Sequence, residues 1–249
     1  MSKQSREQSR TERAAAVRAA QVRKERNRRV ALVVGIVVLL GAVIAAGAWY
    51  GGGGGSNSTT TASGAKSVSA GTTYLGVGDP KAPVKVVVYE DFLCPYCREL
   101  EVSTRDFLHE NADKGRVYVE YHPINLLRQY AYSAKALNAW VAVLKNASPA
   151  AALSLHNLLF DKQPYEQSAD QVSDSQIADW VKQAGGDNAN VRNAMKSKDT
   201  AFFDAMQAEM NKEKIAGTPT VFINGKELPV AEVTQMVSQI ESAVEQGNQ

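Results

Sequence analysis

Val84-Lys85-Val86-Val87-Val88-Tyr89-Glu90-Asp91-Phe92-Leu93-Cys94-Pro95-Tyr96-Cys97-Arg98-Glu99-Leu100 decides the reading of this chain. The apolar run Val84–Tyr89 reads as a buried strand, and Arg98 onward reads as a helix. Cys94 and Cys97 stand at the junction and are the only cysteines in 249 residues. Two thiols separated by two residues can close a disulfide across the first helical turn. Such a pair passes between dithiol and disulfide and carries two electrons. A zinc site would need four ligands. Only His109, His122 and His156 are available beside the pair, at no ligand-like spacing, so no metal and no cofactor is expected.

Charge is unevenly distributed along the chain. Residues 1–29 hold ten bases against three acids, a net +7, and the remainder carries −5. The acidic remainder gives no electrostatic reason to expect nucleic-acid binding. Val30 to Tyr50 holds no charge and is rich in Val, Leu, Ile, Ala and Gly. About 20 such residues span a hydrocarbon core of roughly 30 Å. The basic stretch 1–29 therefore reads as a cytoplasmic arm and 30–50 as a transmembrane anchor, with the remainder on the far side. Residues 51–73, opening on five glycines, read as a flexible Gly/Ser/Thr linker with a root-mean-square span of roughly 25 Å. A cleaved signal peptide is the alternative reading of the apolar segment.

Residues 74–249 read as one globular domain. Tyr74-Leu75-Gly76 begins an edge strand. After Val84–Tyr89 a helix runs from Pro95 to His109, and Arg116–Tyr121 alternates as a strand with one partly wet face. A helical insert at about 124–215 holds stretches near Gln129–Leu144, Pro149–Phe160, Ser173–Gln183, Asp187–Met195 and Thr200–Ile215. Ser148 caps the second, Ser173 with Gln176 makes a capping box for the third, and Asp187 caps the fourth. Thr220–Ile223 returns as a strand, Asn224-Gly225 turns a hairpin into Lys226–Leu228, and Ala231–Glu245 closes as an amphipathic helix. Trp140, Trp180, Phe160, Met195, Met206 and Met210 read as core or groove lining. His109 reads as a partner of a helix C-terminus; His122, before Pro123 at a strand end, reads first as a structural residue, with a place near the site as the alternative.

This βαβ, helical insert, ββα order resembles the DsbA-like branch of the thioredoxin superfamily. The resemblance covers Tyr74 to about Gln249 and rests on Asp91-Phe92-Leu93-Cys94-Pro95-Tyr96-Cys97 and on Gly217-Thr218-Pro219-Thr220-Val221-Phe222-Ile223-Asn224-Gly225. It implies an α/β thioredoxin fold with a helical insertion, preceded by one transmembrane helix. It also implies that Thr218-Pro219 forms a cis-proline loop facing the active site and binding substrate. Where that family often carries a buried acid six positions before the first cysteine, this chain has Val88. Glu90 and Asp91 are the nearest acids and the candidate supporting residues.

In this scheme Cys94, at the helix N-terminus, is the attacking thiolate with a lowered pKa. Cys97 is the more buried resolving thiol, and Pro95 suits the first helical turn. Tyr96 brings no cation to stabilise a thiolate, which implies a weaker oxidant than the strongest family members. The resulting expectation is a membrane-anchored, extracytoplasmic thiol–disulfide oxidoreductase that introduces disulfides into exported proteins. Its partners would be cysteine-containing exported substrates and a quinone-linked membrane reoxidase. The alternatives are a disulfide reductase or isomerase, including one serving cytochrome maturation, and a non-catalytic thioredoxin-fold binding module.

Overall fold

The computed structural model describes residues 67–229 and 231–247. The basic arm and the apolar segment 30–50 lie outside the described residues, as does the linker up to residue 66. Among the described residues no helix is long and apolar enough to cross a membrane.

One six-stranded sheet organises the domain, in the order β1-β2-β4-β3-β5-β6. Its strands are β1 (Val68–Ala70), β2 (Leu75–Val77), β3 (Val84–Glu90), β4 (Val117–Pro123), β5 (Thr220–Ile223) and β6 (Lys226–Glu227). β3 lies in the middle, parallel to β4 and antiparallel to β5. Its valines suit that place, because a strand covered on both faces needs apolar side chains in both directions. Helix α1 (Pro95–Asp113) makes the crossover from β3 to β4. The insert holds α2 (Ala131–Asn146), α3 (Pro149–Asp161), a 3₁₀ turn (Glu166–Gln171), α4 (Asp174–Gln183), α5 (Ala189–Ala194) and α6 (Thr200–Glu213). α7 (Val233–Gln246) closes the described chain and packs against α1 and β3.

The helix ends follow local chemistry. Ser148 Oγ accepts from Ala151 N at 3.1 Å, and Ser173 forms the expected capping box with Gln176. α5 is capped by Asn188, whose Oδ1 accepts from Val191 N, and not by Asp187 as the sequence reading has it. Asp187 instead pairs with Arg192 at 2.6 Å. The Asn-Gly hairpin also holds. Asn224 and Gly225 both take positive φ, at 50° and 79°, as a type I′ turn requires. Asn224 Oδ1 further accepts from Lys85 N at 2.8 Å, pinning the hairpin to β3.

Two expectations are corrected. The sheet begins at Val68, inside the range read as linker. β1 pairs with β2 in register Val68↔Val77, so Tyr74-Leu75-Gly76 does not start an edge strand. Val68-Ser69-Ala70 is too short and too polar to signal a strand alone, and its pairing with β2 makes it one. The second correction is β4, where all seven residues are buried. Glu120 is enclosed by Lys85 at 2.8 Å and His122 at 3.4 Å, so partner side chains cover the charge that suggested a wet face.

The core is continuous from the sheet into the insert. Trp140 on α2 is fully buried, sits 6.3 Å from the rings of Phe92 and Phe202, and donates its indole N–H to the Ala152 carbonyl at 3.1 Å. It ties the insert to the segment that carries Cys94. Trp140→Ala should cost about 3–5 kcal/mol of unfolding free energy, read by chemical denaturation. A loss below about 1 kcal/mol would show that the insert does not rest on this residue.

Candidate active site

The site forms where β3 ends. β5 runs antiparallel to β3 with Thr220 opposite Tyr89, so the residues just before Thr220 lie beside those just after Tyr89. This register brings Thr218 to Cys94 across 124 positions of sequence. The Cys94 thiol donates to the Thr218 carbonyl at 3.3 Å. The Thr218-Pro219 peptide bond is cis, as the resemblance implies.

Cys94 is the N-cap of α1 and Pro95 opens its first turn, which contains no acid. The free N–H groups of that turn favour a negative charge at the sulfur. Both cysteines are reduced and buried, at 5% and 1% exposure. The Cys94 pKa is lowered to about 6. The Cys97 thiol contributes most by hydrogen bonding to the sulfur; burial works against it, and the Thr218 side chain with the N–H groups of Tyr96 and Cys97 assists. Cys97 moves the opposite way. Burial, then its bond to Cys94, pushes it well above a free thiol, and Glu90 adds to the rise. The pair thus holds one sulfur ready to be a thiolate and one that keeps its proton. Tyr96 stands 61% exposed beside them.

Glu90 and Asp91 are both buried but do different things. The carboxyl of Asp91 accepts from Leu93 N, Leu126 N, Leu127 N and Ser133 Oγ at 2.7–3.0 Å. With four donors spent on it, Asp91 fixes the turn before Cys94 to the start of the insert. Glu90 instead faces His156, with Nε2 of His156 at 2.5 Å from its carboxyl oxygen. Burial pushes the Glu90 carboxyl up while His156 pulls it back. Burial alone would lower His156, but Glu90 and Glu101 outweigh it and hold the ring protonated up to about 9. Val88, six positions before Cys94, is a buried apolar residue, and Glu90 is the acid that faces the interior near Cys97.

Glu90, Glu101 and His156 offer three ligand atoms within 4.8 Å of one another. Nε2 of His156 is engaged by Glu90, and Glu101 accepts from Arg105 Nε at 2.8 Å. Each group would have to give up its partner to take an ion.

Sequence reasoning missed His156 and Gln163. Gln163 Nε2 donates to the Phe92 carbonyl at 3.1 Å and to the Cys94 carbonyl at 3.0 Å, fastening the loop after α3 to the active-site turn. No local signal marks either residue, because each meets its partner from more than 60 positions away. His109 is corrected as well. Burial lowers its pKa, and it meets Tyr121 Oη at 3.3 Å and not the helix end. His122 lies at the same end of the sheet, stacked on Tyr74 and tilted against Tyr89, with Glu120 and Glu209 beside it. Register pairs it with Tyr89, the face opposite to that of Glu90. Trp140, Phe160, Met206 and Met210 are buried; Trp180 and Met195 are half-buried.

A family model described as thioredoxin matches residues 69–245. The chain belongs to this thioredoxin family. Among solved structures it is similar to oxidised DsbA of Mycobacterium tuberculosis, with 25% identity and a TM-score of 0.54 over 68% of this chain and 88% of that one. It is also similar to MdbA, a thiol-disulfide oxidoreductase from Corynebacterium diphtheriae, with 24% identity, a TM-score of 0.61 and coverage of 77% and 100%. BdbD from Bacillus subtilis matches at 23% identity, with a TM-score of 0.57 over 68% and 92%. These likenesses support the thioredoxin α/β fold with its helical insertion. The curated relatives are the Na(+)/H(+) antiporters NhaA 3 of Salinispora tropica and NhaA 1 of Salinispora arenicola, 27% and 28% identical over 150 residues. This chain spans about a fifth of their length, as the matches cover 60% of it and 21% of them.

Three outcomes are expected from these geometries. Alkylation of the reduced protein should titrate with a midpoint near pH 6 and report Cys94 alone; a midpoint near the ~8.5 of a free thiol would contradict the site. A thiol whose folded pKa is depressed stabilises the fold above its unfolded pKa and loses that contribution as pH falls through the folded value. Cys97, shifted the other way, offsets part of this above about pH 8.5, so the unfolding free energy of the reduced form, minus that of the oxidised form, should fall by roughly 2–3 kcal/mol between about pH 8.5 and pH 5. Glu90→Gln should destabilise by about 1–3 kcal/mol, because it removes the charge that holds the buried His156 ring protonated and weakens their bond, and thermal unfolding of both redox forms measures it.

Proposed function

We propose that this chain is a thiol–disulfide oxidoreductase that introduces disulfide bonds into exported proteins on the outer side of a membrane. The observation that carries the reading is the division of labour between the two sulfurs, with Cys94 lowered to about 6 and Cys97 pushed well up. A substrate thiolate attacks Sγ of Cys94 in the disulfide form, forming a mixed disulfide, and Cys97 leaves as a thiolate and takes a proton. A second substrate thiolate attacks the substrate sulfur of that mixed disulfide. Cys94 leaves as a thiolate, for which its low pKa suits it. The substrate gains a disulfide, and the enzyme holds two electrons as a dithiol. An electron acceptor of the quinone class, reached through a membrane partner, restores the disulfide.

The uncharged segment 30–50 and the ten bases before it support an anchor with the catalytic domain outside. Oxidising conditions there favour a disulfide donor, and a chain with no further cysteines avoids wrong pairings of its own.

Equilibration of the Cys94–Cys97 couple with glutathione tests the direction. The expected potential lies on the oxidising side of about −180 mV, where a low-pKa thiolate stabilises the reduced form. A value near −270 mV would instead make the protein a reductase fed with electrons from across the membrane.

A further inference from the structure

A groove of about 250 Å³ adjoins the redox pair on the side of the cis-proline loop. Tyr96, Thr218 and Pro219 line it together with Glu227, Leu228, Glu232 and Met236. Thr218 is the residue whose carbonyl receives the Cys94 thiol, so a chain lying in this groove passes directly beside the reacting sulfur. The lining is apolar at Pro219, Leu228 and Met236, and its two charged residues are both acids. Glu227 and Glu232 are exposed, and among the described residues neither carboxylate has an ion pair or a side-chain hydrogen bond. Glu232 is the N-cap of α7, yet its side chain makes no capping bond, so local structure does not use this charge either. A second cavity next to the active-site helix, about 360 Å³, carries the cation Arg98 together with Glu166 beside Pro95, Gln163 and Tyr165. Of these two cavities, the one at the cis-proline loop is the one lined by acids without a base.

We propose that this groove selects cysteine-bearing segments whose cysteine is flanked by lysine or arginine, with an apolar residue on Leu228 and Met236. The proposal rests on the oxidoreductase reading and names the substrate class of the same site. A cationic side chain in the groove meets a lining whose only charges are the carboxylates of Glu227 and Glu232. The exposed ring of Tyr96 offers the same cation a π face. Complementary charge of this kind acts mainly on encounter and register and weakens with salt.

The test uses the full chain in its oxidised form and three peptides of equal length, each with one cysteine flanked by Lys, Gln or Glu. The second-order rate at which each reduces the Cys94–Cys97 disulfide is divided by that peptide's rate toward a small disulfide reagent. The division removes the effect of the flanking charge on the peptide's own thiol. The normalised Lys rate should exceed the Glu rate by roughly fivefold at low salt. In Glu227→Gln/Glu232→Gln the ratio should fall close to one, and in Glu245→Gln, at the far end of α7, it should persist. Equal normalised rates in the unaltered chain would overturn the proposal, and so would a preference that survives in the double variant. Dithiothreitol, which no charge steers, reads the redox pair alone. Failure of dithiothreitol and of all peptides to reduce it would overturn the oxidoreductase reading and this inference together, whereas reduction without a charge preference would overturn this inference alone.

Discussion

The carboxyl group of Asp91 is the knot on which the rest of the site depends. It is fully buried, so each of its oxygens must find donors inside the protein. It finds one in the turn before Cys94 and three at the start of the insert, at Leu126, Leu127 and Ser133. A donor set that converges from three stretches of chain holds all three to one geometry. The turn is thereby fixed with Cys94 at the mouth of α1 and not further along it. The insert is anchored at its first residues to the end of β3, and its helices then pack over the sheet.

The second constraint is the antiparallel register of β5 on β3. It sets Thr220 against Tyr89 and so delivers the Thr218 carbonyl to the Cys94 sulfur. Asn224 reinforces the register at the other end of β5 through its bond to Lys85. A one-residue slip would turn every β5 side chain to the wrong face and displace the cis-proline loop.

Two polar clusters lie on opposite faces of the sheet at this end. On one face Glu90, His156, Glu101 and Arg105 alternate in charge through the interior. On the other, Glu209 accepts from Tyr89 Oη at 3.0 Å and from the Thr73 hydroxyl, and lies 3.0 Å from His122 Nδ1. Burial would raise the Glu209 carboxyl, but His122, Thr73 and Tyr89 hold it down to about 2. Tyr89 and Glu90 are neighbours in sequence and belong to different clusters because strand side chains alternate. The first cluster bears on Cys97 through Glu90. The second ties the entry to β2 and the insert helix α6 to the sheet.

Much of this was legible in the residues themselves. The two cysteines at a strand-to-helix junction, the buried valine strand, the Asn-Gly hairpin and the Ser-capped helices are local signals, because spacing and turn chemistry act over a few residues. The resemblance supplied the partnership of Thr218-Pro219 with Cys94. The sequence by itself determined the redox pair, the α/β class and the helical insert. Only the tertiary structure decided that Glu90 pairs with His156, that Gln163 holds the active-site turn, that Val68–Ala70 joins the sheet and that β4 has no wet face. Each of those depends on a partner brought across many positions by strand register and helix packing, and no local pattern encodes the identity of a distant neighbour.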